Sequence, residues 1–440
     1  MILIYDLFIR LFLTGIRIAS IWNKKADAWI KGRENLFEEL RNKINAEDKI
    51  IWMHCASAGE FEQGKPVIEE LKDKFPDHKI LVSFFSPSGY AVAKRYAHAD
   101  IVTYLPIDTK KNAKKFIKIV KPQLVVFVKY EYWYHHLKTI TTNKIPLILV
   151  SAIFRKEQIF FKWYGKFYRQ MLFFFHQIFV QDENSLQLLK QNGINNCLIG
   201  GDTRFDRVVK IAESFSELVL IKNFVGDNQV IVAGSTWPDD EKLFAEYAKS
   251  NEVKLIIAPH EINDQHIASI QKLFPGAFKY SEFENLLSTK PSEYATSVWN
   301  KIDEQQTIDL QKKLTNVNTL IIDNVGMLSK LYNYATISFI GGGFNKSGIH
   351  NTLEAAVYGN PVLFGSYYKK FKEANDLIAV GAAFPISNAE ELKIKMDHLL
   401  NDPSGLATSG NAAKNYVSEN TGATKKIIQY IQENRLLTNW

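Results

Sequence analysis

Cysteine is almost absent. Cys55 and Cys197 are the only two in 440 residues, too few for a disulfide framework and without the Cys-x-x-Cys spacing of a metal site, which fits a reducing compartment. Runs of like charge are missing as well. The formal net charge is +7, but the Lys and Arg residues are scattered, which argues against nucleic acid as a partner and leaves an anionic surface or substrate. No Gly-x-Gly-x-x-Gly opens the first strand-to-helix turn of either half, so a dinucleotide cofactor is poorly supported. Acidic residues do not cluster as a magnesium site requires. Nor does any stretch supply the ~20 unbroken apolar residues of a bilayer crossing. The best candidate, residues 1–22, is interrupted by Asp6, Arg10 and Arg17, and no small-residue cleavage site is evident.

What the chain does have is 46% hydrophobic content, enough for a sizeable core and, at this length, for two domains or more. At about 100° per residue Asp6, Arg10, Arg17 and Lys24 fall on one line of a helix, with Leu, Ile and Phe around the remainder. This pattern predicts an amphipathic helix lying in a membrane interface. Arg10, Arg17, Lys24, Lys25, Lys31 and Arg33 would each add about 1 kcal/mol of attraction to anionic lipid. The alternative is a helix packed on the protein's own core.

From residue 50 short apolar runs alternate with helical stretches, the mark of an α/β fold with parallel sheet and crossover helices. The runs are residues 50–54, 80–85, 101–105, 124–128, 146–151 and 178–180. After a polar stretch ending in Gly226-Asp227-Asn228 they resume at 230–234, 254–259, 319–322, 337–340 and 362–364. Two Rossmann-like halves account for this. The expected organisation is a membrane-associating helix over 1–30, a first domain over 31–215, a second over 216–424 and a helix over 425–440 crossing back. Residues 280–318 read as a mobile surface insertion.

Chemistry is expected at residues 52–65, where a buried strand enters a helix through Cys55-Ala56-Ser57-Ala58-Gly59-Glu60. Helical spacing is plain from Pro66 to Lys74. A carboxylate at the helix start, on the carboxyl edge of a sheet, stays ionised and can accept a proton. A plain helix cap is the bland alternative. Gly59 to Pro66 also comes within one residue of a phosphate-binding P-loop, but Pro66 lacks the hydroxyl and two carboxylates lie inside the loop. Glu131, between aromatic residues just past the fourth run, is the second candidate, with a solvated loop as its alternative. Residues 164–175, aromatic and basic, suit a core or a lipid face. In the second half Gly341-Gly342-Gly343 follows a strand, and a helix starting near Asn351 would point N–H groups at a phosphate, with Glu354 available to a ribose.

His54-Cys55-Ala56-Ser57-Ala58-Gly59-Glu60 and Gly348-Ile349-His350-Asn351-Thr352-Leu353-Glu354-Ala355 resemble the signatures of the bacterial 3-deoxy-D-manno-octulosonic acid (Kdo) transferases of lipid A biosynthesis. The resemblance runs on through Tyr104-Leu105-Pro106-Ile107-Asp108, Lys121-Pro122, Glu131-Tyr132-Trp133, Lys144-Ile145-Pro146-Leu147, residues 200–206 and Ala233-Gly234-Ser235-Thr236. It implies a GT-B fold, two Rossmann-like domains facing each other across a cleft that holds the active site. It also implies an enzyme of the cytoplasmic face of the inner membrane that moves Kdo from CMP-Kdo to a lipid A precursor (lipid IVA), inverting the anomeric centre without a metal. Glu60 matches the general base, and Glu131 and Arg204 match positions that stabilise the transition state. The CMP contacts would be Pro259, His260, Val325, Gly326, Met327, Asn351, Thr352, Leu353 and Glu354.

Three of these sites depart from the usual pattern. Relatives commonly carry Pro-Arg where this chain has Pro259-His260, Met-Gly-Glu at Val325-Gly326-Met327, and Asn-Pro-Leu-Glu at Asn351-Thr352-Leu353-Glu354. His260 weakens a permanent charge, leaving Lys346 or Lys369 as candidates to compensate. Arg204 stands where Lys is common. The Asn-Ala-Arg of relatives appears as Ser151-Ala152-Ile153, so that contact does not carry over. A GT-B transferase or epimerase using a UDP-sugar, and a silent membrane-surface scaffold, are the competing readings.

Overall fold

Helices on both faces of a parallel sheet bury every strand twice, which is why its strands read as continuous apolar runs. The computed structural model describes the chain outside residues 130, 249–252, 289–316 and 438–440, and only the backbone over 285–288. It divides into two compact units, Met1–Arg207 with Asn420–Trp440, and Val208–Glu419. The first holds β1 (Lys49–Cys55), β2 (His78–Phe84), β3 (Ile101–Tyr104), β4 (Pro122–Val128), β5 (Leu147–Ala152), β6 (Gln177–Val180) and β7 (Cys197–Ile199). All are parallel, in the order β3-β2-β1-β4-β5-β6-β7. The second holds β8 (Val230–Thr236), β9 (Lys254–Pro259), β10 (Phe278–Lys279), β11 (Thr319–Ile321), β12 (Ile337–Ile340), β13 (Val362–Gly365) and β14 (Ala383–Ile386). Their order is β10-β11-β9-β8-β12-β13-β14, again parallel.

Each expected run lies on a strand, whereas β7, β10 and β14 lie outside those runs. All three are edge strands, β7 of three residues, β10 of two and β14 half-exposed with Pro385 in it, so none carries a long buried run. The stretch read as a surface insertion opens with a helix, Tyr280–Ser288, and most of the rest lies outside the described residues. The helix Ala423–Glu433 belongs to the first unit, where Ile427, Ile428 and Ile431 join the core on the face of the sheet that the helix Ala58–Lys74 covers, and Tyr430 meets Phe179 of β6 at 5.3 Å.

Four helices shape the first unit's site edge: α1 (Ile2–Ala19), α2 (Lys24–Lys31), α3 (Leu36–Lys43) and α4 (Ala58–Lys74). The last begins at Ala58, which puts Glu60 at the helix start as expected, and Gly59 to Pro66 is helix rather than a phosphate-cradling loop. Pro66 sits inside it without an N–H to give. The small residues serve contact: a Cβ on Gly64 would stand 3.0 Å from Met53 Sδ and 3.2 Å from Cys55 Sγ, so glycine lets α4 lie against β1.

α1 is apolar on two sides, which sequence periodicity alone did not separate. Tyr5 and Ile9 are buried against the first unit, while Leu3, Leu7, Phe8, Leu11 and Ile18 are exposed. The charged line of Asp6, Arg10 and Arg17 is the seam between these faces, and Asp6 faces inward to His135 at 2.6 Å. Among the described residues no helix is long and apolar enough to cross a membrane.

Asp108, 2% exposed, fastens α1 in place. It accepts from Tyr5 Oη (2.5 Å), the backbone N–H groups of His135 (3.0 Å) and His136 (2.9 Å), and pairs with His136 Nδ1 (2.5 Å). Burial pushes this carboxyl up, but those bonds outweigh it and hold it below the usual carboxylate range. Its stabilising share is therefore full above the unfolded pKa and lost as pH falls through the folded one. Tyr5→Phe should lower the urea-denaturation free energy by about 1–3 kcal/mol at neutral pH. The difference should shrink below about pH 3.9. A variant as stable as wild type would show that α1 docks without this bond.

Candidate active site

In an open parallel sheet, ligands bind at the carboxyl edge where strand order reverses, because there the crossovers diverge. The first sheet reverses between β1 and β4, and the loops after these two strands carry Glu60 and Glu131.

Glu60 occupies the first turn of α4, behind the N-cap Ser57. The Ser57 hydroxyl accepts from Gly59 N–H (3.2 Å) and donates to Glu60 Oε2 in a very short bond. This is a capping-box pairing, so the bland role of a helix cap is present in the geometry too. Glu131 follows Lys129, whose φ of +66° is uncommon for a side-chain-bearing residue. Its Oε2 takes a very short bond from the Trp133 indole and lies 3.2 Å from His54 Nε2. His54 is fully buried, and its Nδ1 is 2.8 Å from Ser83 Oγ, which in turn receives Trp52 Nε1–H at 2.7 Å. With the proton on Nε2, a donor chain runs from Trp52 through Ser83 and His54 to Glu131. The Cys55 thiol at the end of β1 is pushed well up, by burial first and then by the charges of Glu60 and Glu131.

Arg204 is brought to the same unit but is tied down. Its Nε and Nη2 donate to Asp202 Oδ2 at 2.9 and 2.7 Å, and Asp202 also accepts from Gln63 Nε2 at 3.0 Å, one turn along α4 from Glu60. Burial raises the Asp202 carboxyl, but Arg204 and Gln63 hold it below its ordinary range.

The second sheet reverses between β8 and β12. Trp237 follows β8, Pro259-His260 ends β9, and the three glycines follow β12. The His260 ring stacks on Trp237 (4.9 Å) and on His350 (4.3 Å), and the Trp237 indole donates to His350 Nε2 at 3.3 Å. Burial, then the neighbouring His260, push His350 down to about 4. Asp240 clips the glycine turn to this corner, accepting from Trp237 N–H (2.8 Å) and Gly342 N–H (3.0 Å).

Two expectations are corrected here. The glycines do not open room for a ligand, since a Cβ on Gly341 would stand 2.2 Å from Ser235 O and one on Gly343 2.4 Å from Gly365 N. The space is filled by the chain itself. The helix expected from Asn351 is a single turn, Leu353–Ala356, ended by Gly359 and Asn360-Pro361, and too short to carry much dipole. Within it Asn351 Nδ2 donates to Glu354 Oε1 (3.0 Å) and Asn351 Oδ1 accepts from Leu353 N–H (3.2 Å), while Thr352 is buried. Val325 is 90% exposed, Gly326 has φ +97° and Met327 precedes the short helix Leu328–Leu331. Lys346 and Lys369 are exposed, whereas Lys370 is the cation bonded onto the glycine loop, through Ser347 O. Among the described residues no three His, Cys, Asp or Glu side chains gather as a metal ion would need. His54, Trp237, Asp240 and Lys370 were missed as individuals. Only their places at strand ends could have flagged them.

Two parallel sheets, each with polar side chains gathered at its reversal, form a GT-B-like fold. The chain matches UDP-GlcNAc 2-epimerase from Neisseria meningitidis with a TM-score of 0.58 and 16% identity, over 88% of this chain and 100% of that one. Residues 31–207 match the family described as 3-deoxy-D-manno-octulosonic-acid transferase (kdotransferase). Over 389 residues the chain is 27% identical to the 3-deoxy-D-manno-octulosonic acid transferase of Rickettsia felis, covering 87% of this chain and 78% of the relative. Over 370 residues it is 27% identical to that of Aquifex aeolicus, covering 82% and 88%. The Kdo transferase family model thus falls on the first unit, and the chain as a whole is similar to these glycosyltransferases.

Asp240 gives this site a measurable signature. Burial pushes its carboxyl up to about 6. The folded protein thus holds that proton more tightly than the unfolded chain, whose value is near 3.9, and the site favours folding more as pH falls from about 7 to about 4.5. Asp240→Asn should remove on the order of 2 kcal/mol of that pH-dependent gain in urea denaturation. An unchanged slope would place the titration elsewhere.

Proposed function

We propose that the protein transfers Kdo from CMP-Kdo to a sugar hydroxyl of the lipid A precursor lipid IVA, with inversion, on the cytoplasmic face of the inner membrane. The observation that carries this is the placement of Glu60 and Glu131 after the two strands that flank the reversal of the first sheet, in a chain similar to Kdo transferases. A sugar hydroxyl is a poor nucleophile. Glu60 takes its proton as the oxygen bonds to the anomeric carbon and the bond to the phosphate oxygen breaks, a contribution of roughly 100-fold to 10,000-fold. Glu131 stabilises the positive charge growing on the sugar, and Arg204 the negative charge growing on the leaving phosphate oxygen. CMP leaves as a phosphate monoester that needs no further proton near neutral pH.

The donor is assigned to the second unit. Pro259, His260, Val325, Gly326, Met327, Asn351, Thr352, Leu353 and Glu354 are its proposed contacts, with Glu354 on the ribose hydroxyls. His260 offers a flat, stacked imidazole where relatives commonly place Arg. Lys370, tied to Ser347, is the nearer of the loop cations. The exposed face of α1, Leu3, Leu7, Phe8, Leu11 and Ile18 flanked by Arg10 and Arg17, supports seating on a lipid surface. The likeness to UDP-GlcNAc epimerases concerns the fold alone.

The test is CMP release from CMP-Kdo with a tetraacylated lipid A precursor, products resolved by mass. Glu60→Gln should fold normally and lose about 100-fold or more in turnover, with CMP affinity by calorimetry unchanged. Glu354→Ala should weaken CMP binding by ~1–3 kcal/mol. The reverse pattern would exchange donor and acceptor sides, and turnover of a UDP-sugar instead would replace the donor. Leu7→Glu with Leu11→Glu should abolish flotation with anionic liposomes while the fold persists. Continued flotation would move the lipid contact to residues 159–175, where Trp163 and Tyr164 are exposed.

A further inference from the structure

Glu131 hangs on a short segment between β4 and the helix Tyr134–Thr142, and that helix has no side-chain cap of its own. The cap comes from elsewhere in the chain. Asp108 accepts the N–H groups of His135 and His136, and Tyr5 of α1 both donates to Asp108 and receives Tyr134 N–H at 3.3 Å. This fixes the far end of the segment.

The residue just before the helix, Trp133, is held by a column of rings. Trp133, whose indole bonds to Glu131, stacks on Phe85 at 5.0 Å and 23°. Phe85 meets Phe12 of α1 at 6.0 Å and Trp29 of α2 at 5.6 Å. Arg33 locks the base, its guanidinium 3.8 Å from the Trp29 ring centroid and its Nη2 donating to Phe85 O at 2.8 Å. The crevice between Ile9, Phe12, Trp29, Phe85, Leu105 and Trp133 amounts to about 10 Å³, room for roughly one water. An acyl chain does not fit there, so this is a packed contact and not a lipid pocket. On Glu131 the bonds from Trp133 and His54 both fall on Oε2.

We propose that α1 is a positioning element for the Glu131 carboxylate, acting through Phe12 and Phe85 on the Trp133 side chain and through Tyr5 and Asp108 on the first turn of the helix that follows it. Phe85 is the central positioning residue. It touches no reacting atom, yet it sets the plane of the indole that orients Glu131. A shift of about 1 Å in such a group is enough to reduce a rate 100-fold. The proposal rests on Glu131 serving the transfer reaction.

In the full-length protein, Phe85→Ala should lower kcat for CMP release by about tenfold or more. KM for CMP-Kdo should stay within about twofold, and Phe85→Tyr should restore the rate. In a Glu131→Gln background Phe85→Ala should take away nothing further, the signature of two residues acting as one. An equal loss in that background, or a wild-type kcat, overturns the proposal. A reading free of the donor question is hydrogen exchange at the Trp133 indole N–H, assigned in ¹⁵N spectra with Trp133→Phe. It should speed up about tenfold or more in Phe85→Ala, but not in Leu71→Ala, a core truncation on α4. Should Phe85→Ala not fold, Phe12→Ala, at a half-buried position, serves for both measurements. If wild type releases no CMP from CMP-Kdo, the donor assignment fails, and the indole exchange still decides the positioning: unchanged exchange sinks it.

Discussion

A parallel sheet built outward from a central first strand lets its crossovers diverge at one place, and whatever is to reach a ligand must gather there. In the first unit this constraint selects two loops, those after β1 and β4, and each brings a glutamate. Each has donors of its own: Glu60 has a hydroxyl and the first turn of a helix, whereas Glu131 has an indole and an imidazole. Two identical side chains are thus placed in unlike surroundings.

The strands were legible because burial on both faces forces apolar runs, and β1, β4, β8 and β12 are among the clearest of them. With them the positions of Glu60, Glu131 and the glycine turn could be placed on a sheet edge. What escaped was whatever depends on meetings across the fold. That the glycine at Gly64 answers to the sulfur atoms of Met53 and Cys55 could not be read from spacing. Gly341 and Gly343 read as room for a ligand, when Ser235 and Gly365 take that room. No periodicity could reveal that His54 would stand between Ser83 and Glu131, residues 29 and 77 positions away.

In the second unit one buried acid organises the corner. Asp240 grips the turns after β8 and β12 through a single oxygen, and its proton affinity rises because the surroundings are dry. The same dryness keeps His350 neutral over the range in which an exposed imidazole would titrate. A ring stack of Trp237, His260 and His350 results, held by faces and one indole hydrogen bond and not by opposite charges. Where relatives commonly use a guanidinium, this chain therefore supplies shape, and must find its permanent charge elsewhere on the loop.

The first unit is not continuous in sequence: Asp206 accepts hydrogen bonds from Gly422 N–H and Thr424 N–H, each at 2.6 Å. Those partners lie 216 and 218 residues further on. On a ribosome adding about 5–20 residues per second, roughly 10–40 s separate the two sides of this contact. Throughout that interval the core on this face of the sheet lacks Ile427, Ile428 and Ile431, and Phe179 of β6 lacks Tyr430, although Tyr5, Asp108 and Tyr134 have long been made. The second unit, Val208–Glu419, is a single stretch and can fold meanwhile. The domain begun first is therefore finished last, and a nascent chain spends its synthesis with an apolar sheet face waiting for a helix not yet translated.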